Sequence, residues 1–330
     1  MKIVIRAEGG PGIGMGHVMR MLVLADKLKA FAEVVFACRD NKEFEPGVRQ
    51  IEACGYSVWR FSGETVIDRL AAIGGDCLIT DSYDVDEGYF DRTKDIFGIT
   101  GYMDDINKVR IYADFIINQN IYAEDMEYKA GIGTKLFLGT RYLLLRDEFR
   151  NLPKRKTRMH IEDVLITLGG ADPGNLSETI ALKLSKVFPE ITFHIAVGPS
   201  FTNRDSIERI AGGNIILHYN PKMSELMLKC DAAISACGST VYELCACGTP
   251  IIGVAAAPNQ IMTSRSMDIK GALKYAAGAG EIVQQLESLN YNTRARMSDT
   301  ARELVDGYGS IRVSEQIWKI ICEKEKGGTV

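Results

Sequence analysis

A short apolar strand that runs into a glycine turn and then opens a helix occurs three times in this chain. That repetition constrains the fold more than any other feature. The first instance joins Lys2–Arg6 to the glycine run Pro-Gly-Ile-Gly-Met-Gly-His over 11–17, followed by Val18, Met21, Leu22, Ala25 and Leu28 at helical spacing. The second carries Asp163–Leu168 into Gly169 and Gly170, and the third carries Ala232–Ser235 into Gly238, Ser239 and Thr240. Further strand patterns lie at Glu33–Cys38, Ser57–Phe61, Cys77–Asp81, Gly98–Met103, Phe115–Asn118, Ile191–Val197, Ile215–His218 and Pro250–Val254. Helical patterns near 17–31, 43–54, 64–74, 86–96, 176–187, 203–211, 222–229, 240–247 and 260–270 intervene, and helical stretches continue toward the end. Such alternation predicts βαβ units and mainly parallel sheets covered on both faces. Asn151–Arg158 interrupts it with a proline and a basic cluster and reads as a linker. The expectation is an α/β protein of two doubly wound domains, 1–150 and 151–330, facing a central cleft at the carboxyl ends of their strands.

Composition narrows the function. A chain of 330 residues is comfortable as two domains, and its net charge of −4 argues against a dedicated nucleic-acid binder. No apolar run approaches the roughly 20 residues that span a membrane. Arg6 and Glu8 interrupt the opening apolar stretch before a signal-peptide core forms, so the expected address is the cytoplasm. The eight cysteines are scattered, and Cys245 and Cys247 stand one residue apart without a second Cys/His pair. Neither a structural metal nor a disulfide framework is expected.

The chemistry concentrates at the three helix openings, where exposed N–H groups attract anions. His17 adds an acid or base beside the first, with Gly14 and Gly16 leading into it. The positive end of a helix is expected to lower the imidazole pKa and keep it neutral. Two other readings of this loop stand: His17 as a mere helix cap, and a nicotinamide site with Asp40 as the ribose acid. The run is not G-x-G-x-x-G, however. At the second opening Gly169 and Gly170 would let backbone approach a ligand, while Asn175 with Glu178 reads as a helix cap and its partner; Asp172 and Asn175 as turn-formers is the plain alternative. At the third, Gly238, Ser239 and Thr240 offer donors to a diphosphate, and Glu243 lies one turn in, placed to accept from ribose hydroxyls. A capping box between Thr240 and Glu243 fits the same spacing. Asn259 and Gln260, after Pro258, open another helix with two amide side chains.

This triple arrangement resembles the GT-B nucleotide-sugar enzymes, notably the family 28 glycosyltransferases related to MurG. It is closer still to one subgroup. Arg6-Ala-Glu-Gly-Gly, Ile13-Gly-Met-Gly-His-Val-Met-Arg20, Thr80-Asp-Ser-Tyr83, Asp104-Asp105, Asn118-Gln-Asn120, Leu145-Arg-Asp-Glu-Phe149 and Gly169-Gly-Ala-Asp172 resemble the PseG/SpsG family in type and order. The resemblance implies a GT-B-like fold of two Rossmann-like domains, with the catalytic histidine and sugar side in the first and UDP bound by the second. It implies hydrolysis of a UDP-2,4-diacetamido-2,4,6-trideoxyhexose by water attack at the anomeric carbon, with inversion, in pseudaminic acid-type or spore coat sugar synthesis. His17 falls on the catalytic histidine, Arg6, Gly14, Gly16, Asp81 and Tyr83 on the sugar side, and Asn259 and Gln260 among substrate contacts. Gly169, Gly170, Gly238, Ser239, Thr240 and Glu243 fall on the nucleotide side. The family's Arg-x-Asp opening is Arg6-Ala-Glu8 here, and Ser82 stands where a histidine is expected beside Asp81. No cofactor and no obligatory metal are expected, because dipoles at helix starts can stabilise the departing UDP. The alternative is a glycosyltransferase that passes the sugar to a hydroxyl acceptor.

Overall fold

The computed structural model describes every residue except 11, 63–65, 171, 173, 199, 200, 202, 259 and 328–330, and only the backbone of 325–327. The chain divides into two compact units, Met1–Leu145 with Tyr308–Val330, and Arg146–Gly307.

The first unit is built on a seven-stranded sheet of β1 (Lys2–Ala7), β2 (Glu33–Arg39), β3 (Val58–Phe61), β4 (Cys77–Asp81), β5 (Ile99–Met103), β6 (Phe115–Asn118) and β7 (Lys135–Leu138). Their order is β3-β2-β1-β4-β5-β6-β7, and every pair is parallel. Helices α1 (Gly16–Leu28), α2 (Glu45–Ala53), α3 (Val66–Ile73) and α4 (Glu87–Ile96) connect the strands. A parallel sheet covered on both faces needs apolar residues on both, which is why β1 reads Lys-Ile-Val-Ile-Arg-Ala without alternation. Period two then sorts them: Ile3 and Ile5 join one buried cluster with Met21, Leu24 and Phe36, while Val4 joins the other with Leu78, Phe90 and Ile116.

The second unit carries a six-stranded parallel sheet of β8 (Asp163–Thr167), β9 (Thr192–Val197), β10 (Ile215–Tyr219), β11 (Ala232–Ala236), β12 (Ile251–Val254) and β13 (Lys274–Ala276), ordered β10-β9-β8-β11-β12-β13. Its helices are α5 (Leu176–Val187), α6 (Arg204–Arg209), α7 (Met223–Lys229), α8 (Thr240–Cys247), α9 (Gln260–Ile269), α10 (Ile282–Ser288) and α11 (Tyr291–Leu304). The core runs through Val164, Ile166, Phe193, Ile195, Ile234 and Ile252.

The boundary differs from the one expected at 150/151. Arg146–Arg150 lies with the second unit, and the last helix, α12 (Gly309–Gly327), lies with the first. Val313, Ile317, Ile320 and Ile321 of α12 enter the cluster of Ile3, Met21 and Phe36, and Trp318 stacks on Phe31 at 5.0 Å. Helical periodicity shows that α12 has an apolar face; it does not say which sheet that face covers. Strands β7 and β13 were not anticipated either. Both are edge strands of four and three residues, too short to display a period. Among the described residues no helix is long and apolar enough to cross a membrane.

Candidate functional site

In the first unit the carboxyl ends of β1, β4, β5 and β6 bring together residues far apart in sequence. The loop after β1 closes on itself through reciprocal backbone hydrogen bonds between Gly10 and Gly14, at 3.1 and 2.7 Å. Gly14 sits at φ +77°, a conformation that side chains with a Cβ rarely adopt. The chain then enters α1 at Gly16. The residue before it, Met15, gives no side-chain cap, and there is no acidic residue in the first turn.

His17 is not that cap. Its Nδ1 lies 2.6 Å from Asp81 Oδ1, at the end of β4, and both side chains are buried. A carboxylate only accepts, so Nδ1 carries the proton and Nε2 is left with its lone pair. Nε2 has no hydrogen-bond partner among the described residues. The hydroxyl-bearing ring of Tyr83 meets the imidazole edge-to-face at 4.8 Å.

Behind this pair sits Arg20, three residues on and therefore on the same helix face. Its Nε and Nη2 donate to the two oxygens of Asp81, each at 2.6 Å, and its Nη1 and Nη2 donate to the two oxygens of Asp105 at 2.9 and 2.8 Å. Asp105 also accepts from the Tyr83 hydroxyl at 2.9 Å and from Asn120 Nδ2 at 3.1 Å. Burial alone would raise the pKa of both aspartates, but the Arg20 guanidinium holds each below its ordinary value. Burial and the Asp105 charge push the Tyr83 phenol up, keeping it a donor.

The expected lowering of the His17 pKa is corrected here. Burial does disfavour the charged imidazole, and Arg20 opposes it too, but the Asp81 carboxylate and its hydrogen bond outweigh both, so the pKa is raised. A full charge at 2.6 Å is stronger than the fractional charge of a helix end.

Arg6 has no exposed surface. Its guanidinium packs 4.9 Å from the Tyr89 ring centre, and Nη2 donates to the Asp84 carbonyl at 3.3 Å. Arg39 pairs with the same Asp84. Arg6 thus fastens the loop that carries Tyr83.

In the second unit Gly169, at φ +94°, turns the chain after β8, and Gly170 comes so close to Gly198 that a Cβ on the latter would lie 2.3 Å from the Gly170 carbonyl oxygen. The expected Asn175 cap is corrected: Asn175 makes no cap bond to α5 and instead meets Glu178 and Ser206. Asp172 caps the helix, its carboxylate accepting from the Leu176 and Ser177 N–H groups at 3.0 and 2.9 Å, because the left-handed backbone at 172 and 175 turns its side chain back over the helix start. At the third opening Ser239 gives α8 no side-chain cap. Glu243 does not form a box with Thr240; its Oε1 accepts from Arg146 Nη2 at 2.9 Å. Burial nevertheless leaves the Glu243 carboxyl above its usual pKa, against the pull of Arg146. Gln260 accepts from the Ala256 N–H at 2.9 Å, and its amide nitrogen would lie 3.6 Å from a Cβ on Gly238, so those two expected residues meet. Asn259 lies outside the described residues.

Arg20, Asp105, Asn120 and Arg146 were not assigned a role from the sequence. The signal for Arg20 was its i, i+3 spacing from His17; nothing local marks the others. Among the described residues no group of three or more His, Cys, Asp or Glu side chains is arranged to hold a metal ion.

Comparison with known proteins gives this geometry its context. No protein-family model matches the chain. A Campylobacter jejuni protein named UDP-2,4-diacetamido-2,4,6-trideoxy-beta-L-altropyranose hydrolase is 29% identical over 253 residues, covering 74% of this chain and 87% of that protein. The Bacillus subtilis spore coat polysaccharide biosynthesis protein SpsG is 25% identical over 344 residues, covering 95% and 97%. The chain is a sequence relative of PseG and SpsG. An uncharacterized protein of Methanocaldococcus jannaschii is 28% identical over 273 residues; the match takes in 76% of this chain but spans only 55% of that longer protein. Among solved structures, MurG of Acinetobacter baumannii superposes with a TM-score of 0.68 at 14% identity, over 96% of this chain and 99% of that one. The calicheamicin glycosyltransferase CalG4 superposes at 0.67 and 11% identity, over 97% and 98%. The fold class is GT-B-like, with two parallel-sheet α/β domains.

Proposed function

We propose that this protein is a UDP-sugar hydrolase, with a UDP-linked 2,4-diacetamido-2,4,6-trideoxyhexose as its substrate class, serving pseudaminic acid-type or spore coat sugar synthesis. The observation that carries the reading is His17: Nδ1 held by Asp81 at 2.6 Å, Nε2 free of protein partners among the described residues, at the carboxyl edge of a parallel sheet. A base so oriented takes a proton from water as the water oxygen bonds to the anomeric carbon. The bond from that carbon to the β-phosphate oxygen breaks on the opposite face, configuration inverts, and UDP leaves with the electron pair. Asp81 acts through the imidazole, fixing its tautomer and stabilising the imidazolium that forms. Gly169, Gly170, Gly238, Ser239, Thr240 and Glu243 are the proposed nucleotide contacts; Gly14, Gly16, Tyr83, Asn259 and Gln260 are the proposed substrate contacts, with Arg6 supporting the Tyr83 loop. The uncapped start of α8 offers fixed dipoles to the leaving diphosphate, so no obligatory metal is required.

The likeness to MurG and CalG4 favours one second reading, transfer of the sugar to a hydroxyl acceptor. Incubation with UDP-linked diacetamido sugars and no acceptor separates the two. Free UDP with inverted sugar, formed also after exhaustive chelation, is the expected result. Turnover only when an acceptor is added would replace hydrolysis by transfer, and activity restored only by a divalent cation would overturn metal independence.

A further inference from the structure

Two ionised carboxylates, Asp81 and Asp105, stand on opposite edges of the one Arg20 guanidinium, and each is gripped by two of its N–H groups. Arg20 Nη2 reaches both and also lies 3.1 Å from His17 Nδ1. The charged and titratable groups facing the imidazole are Arg20 from α1, Asp81 from β4, Tyr83 from the loop after β4 and Asp105 from the loop after β5. Asn120, from the loop after β6, completes the shell of Asp105 and carries no charge. With His17 neutral this cluster holds one net negative charge; without Arg20 it would hold two, on an Asp81 side chain that is buried and an Asp105 side chain that is mostly so.

We propose that Arg20 is the positioning residue of this site: its guanidinium fixes the Asp81 carboxylate against Nδ1 and offsets one of two buried negative charges, so that the imidazole can release its proton in the working pH range. The argument is electrostatic and geometric together. A bidentate arginine holds a carboxylate in one orientation, which a lysine, with a compact charge on a flexible stem, does not. A charge within hydrogen-bond distance, in a low-dielectric setting, moves a neighbouring titration far more than a surface charge does. Asp81 and Asp105 pull the His17 proton on, and Arg20 is the only cation among these facing groups to push it off. Two substitutions must therefore move His17 in opposite directions. Removing the arginine charge raises its proton affinity; removing the Asp105 charge lowers it.

The proposal rests on His17 being the base, and the experiment keeps the two apart by reading His17 directly. The imidazole is titrated by NMR in the full-length protein, labelled at histidine carbons, with the His17 signal identified by its loss in H17N. The acid limb of kcat/KM for UDP release is recorded in parallel. In the wild type the midpoint should lie above the ordinary imidazole value, because the Asp81 carboxylate favours the charged ring. Arg20→Gln should move the His17 midpoint up by about one pH unit or more, the usual effect of one charge at this range. Asp105→Asn, which keeps the shape and an acceptor oxygen for Arg20, should move it down. Arg20→Lys should hold the midpoint near that of the wild type while lowering kcat, because charge is kept and the fork is lost. If R20Q does not fold, the downward shift in D105N together with the unmoved midpoint of R20K still carries the test. A midpoint that stays put in D105N, or that falls in R20Q, overturns the proposal. NMR midpoints that shift as stated while the acid limb stays fixed would uphold the electrostatics and remove His17 as the base.

Discussion

The two units open alike, with a parallel strand, a glycine turn and a helix, yet the openings end in different chemistry. In the second unit the acid lies inside the turn: Asp172 folds back over α5 and accepts from two of its first N–H groups. That helix start is satisfied by its own loop. In the first unit the acid lies on the neighbouring strand, and Asp81 reaches past the helix start to take the imidazole of His17. The charged clusters also sit at opposite ends of their sheets. His17, Asp81 and Asp105 gather at the carboxyl ends of strands, where parallel sheets bind ligands. In the second unit His194 is buried with Asp163, at the amino end of β8, at 2.7 Å, and with His218 at 2.9 Å. The same residue types make a candidate base in one unit and an internal brace in the other. Position along the strand, not composition, makes the difference.

Four substitutions test that contrast. The largest effect is expected for His17→Asn, which should lower kcat for UDP release by about 10²–10⁴-fold, the usual worth of a positioned base, while UDP affinity by calorimetry is retained. Near-normal turnover would make the His17–Asp81 pair another brace. Next comes Ile317→Ala on α12. The side chain is fully buried, so truncation should cost about 2–5 kcal/mol. Both tryptophans, Trp59 and Trp318, belong to the first unit, so their fluorescence during denaturant unfolding reports that unit. An unmoved fluorescence transition would mean that Ile317 is not part of the core of the first unit. Glu243→Gln should raise KM about tenfold with kcat little changed, the scale of weakening a hydrogen bond to a charged group. A change confined to melting temperature would reduce the Arg146–Glu243 pair to a structural one. Smallest is Asp172→Ala, expected to cost about 1 kcal/mol through the lost cap, with kinetics intact. A large loss of nucleotide affinity there would mean that the Asp172 carboxylate does more than cap α5 and itself takes part in holding the nucleotide beside Gly169 and Gly170.

Much of this molecule was legible in the order of its residues. Strand and glycine signals located β1, β8 and β11 and the helices after them within three residues, because a sheet buried on both faces writes itself as unbroken apolar runs. His17, Asp81 and Tyr83 were each singled out, and the structure brings all three together. The capping-box alternative at Thr240 and Glu243 could not be dismissed from spacing alone; it gave way once Arg146 was found on the Glu243 carboxylate.

The sequence by itself determined the class of fold, the parallel sheets and the position of His17, the candidate base, at a helix opening, since these follow from local periodicity and from turn chemistry. The tertiary structure alone decided which sheet α12 covers, that Arg20 is shared by Asp81 and Asp105, and that the His17 pKa rises rather than falls. These last depend on charges brought within 3 Å across separations of 61 to 85 residues. Coulomb energy follows distance in space, and distance along the chain says nothing of it.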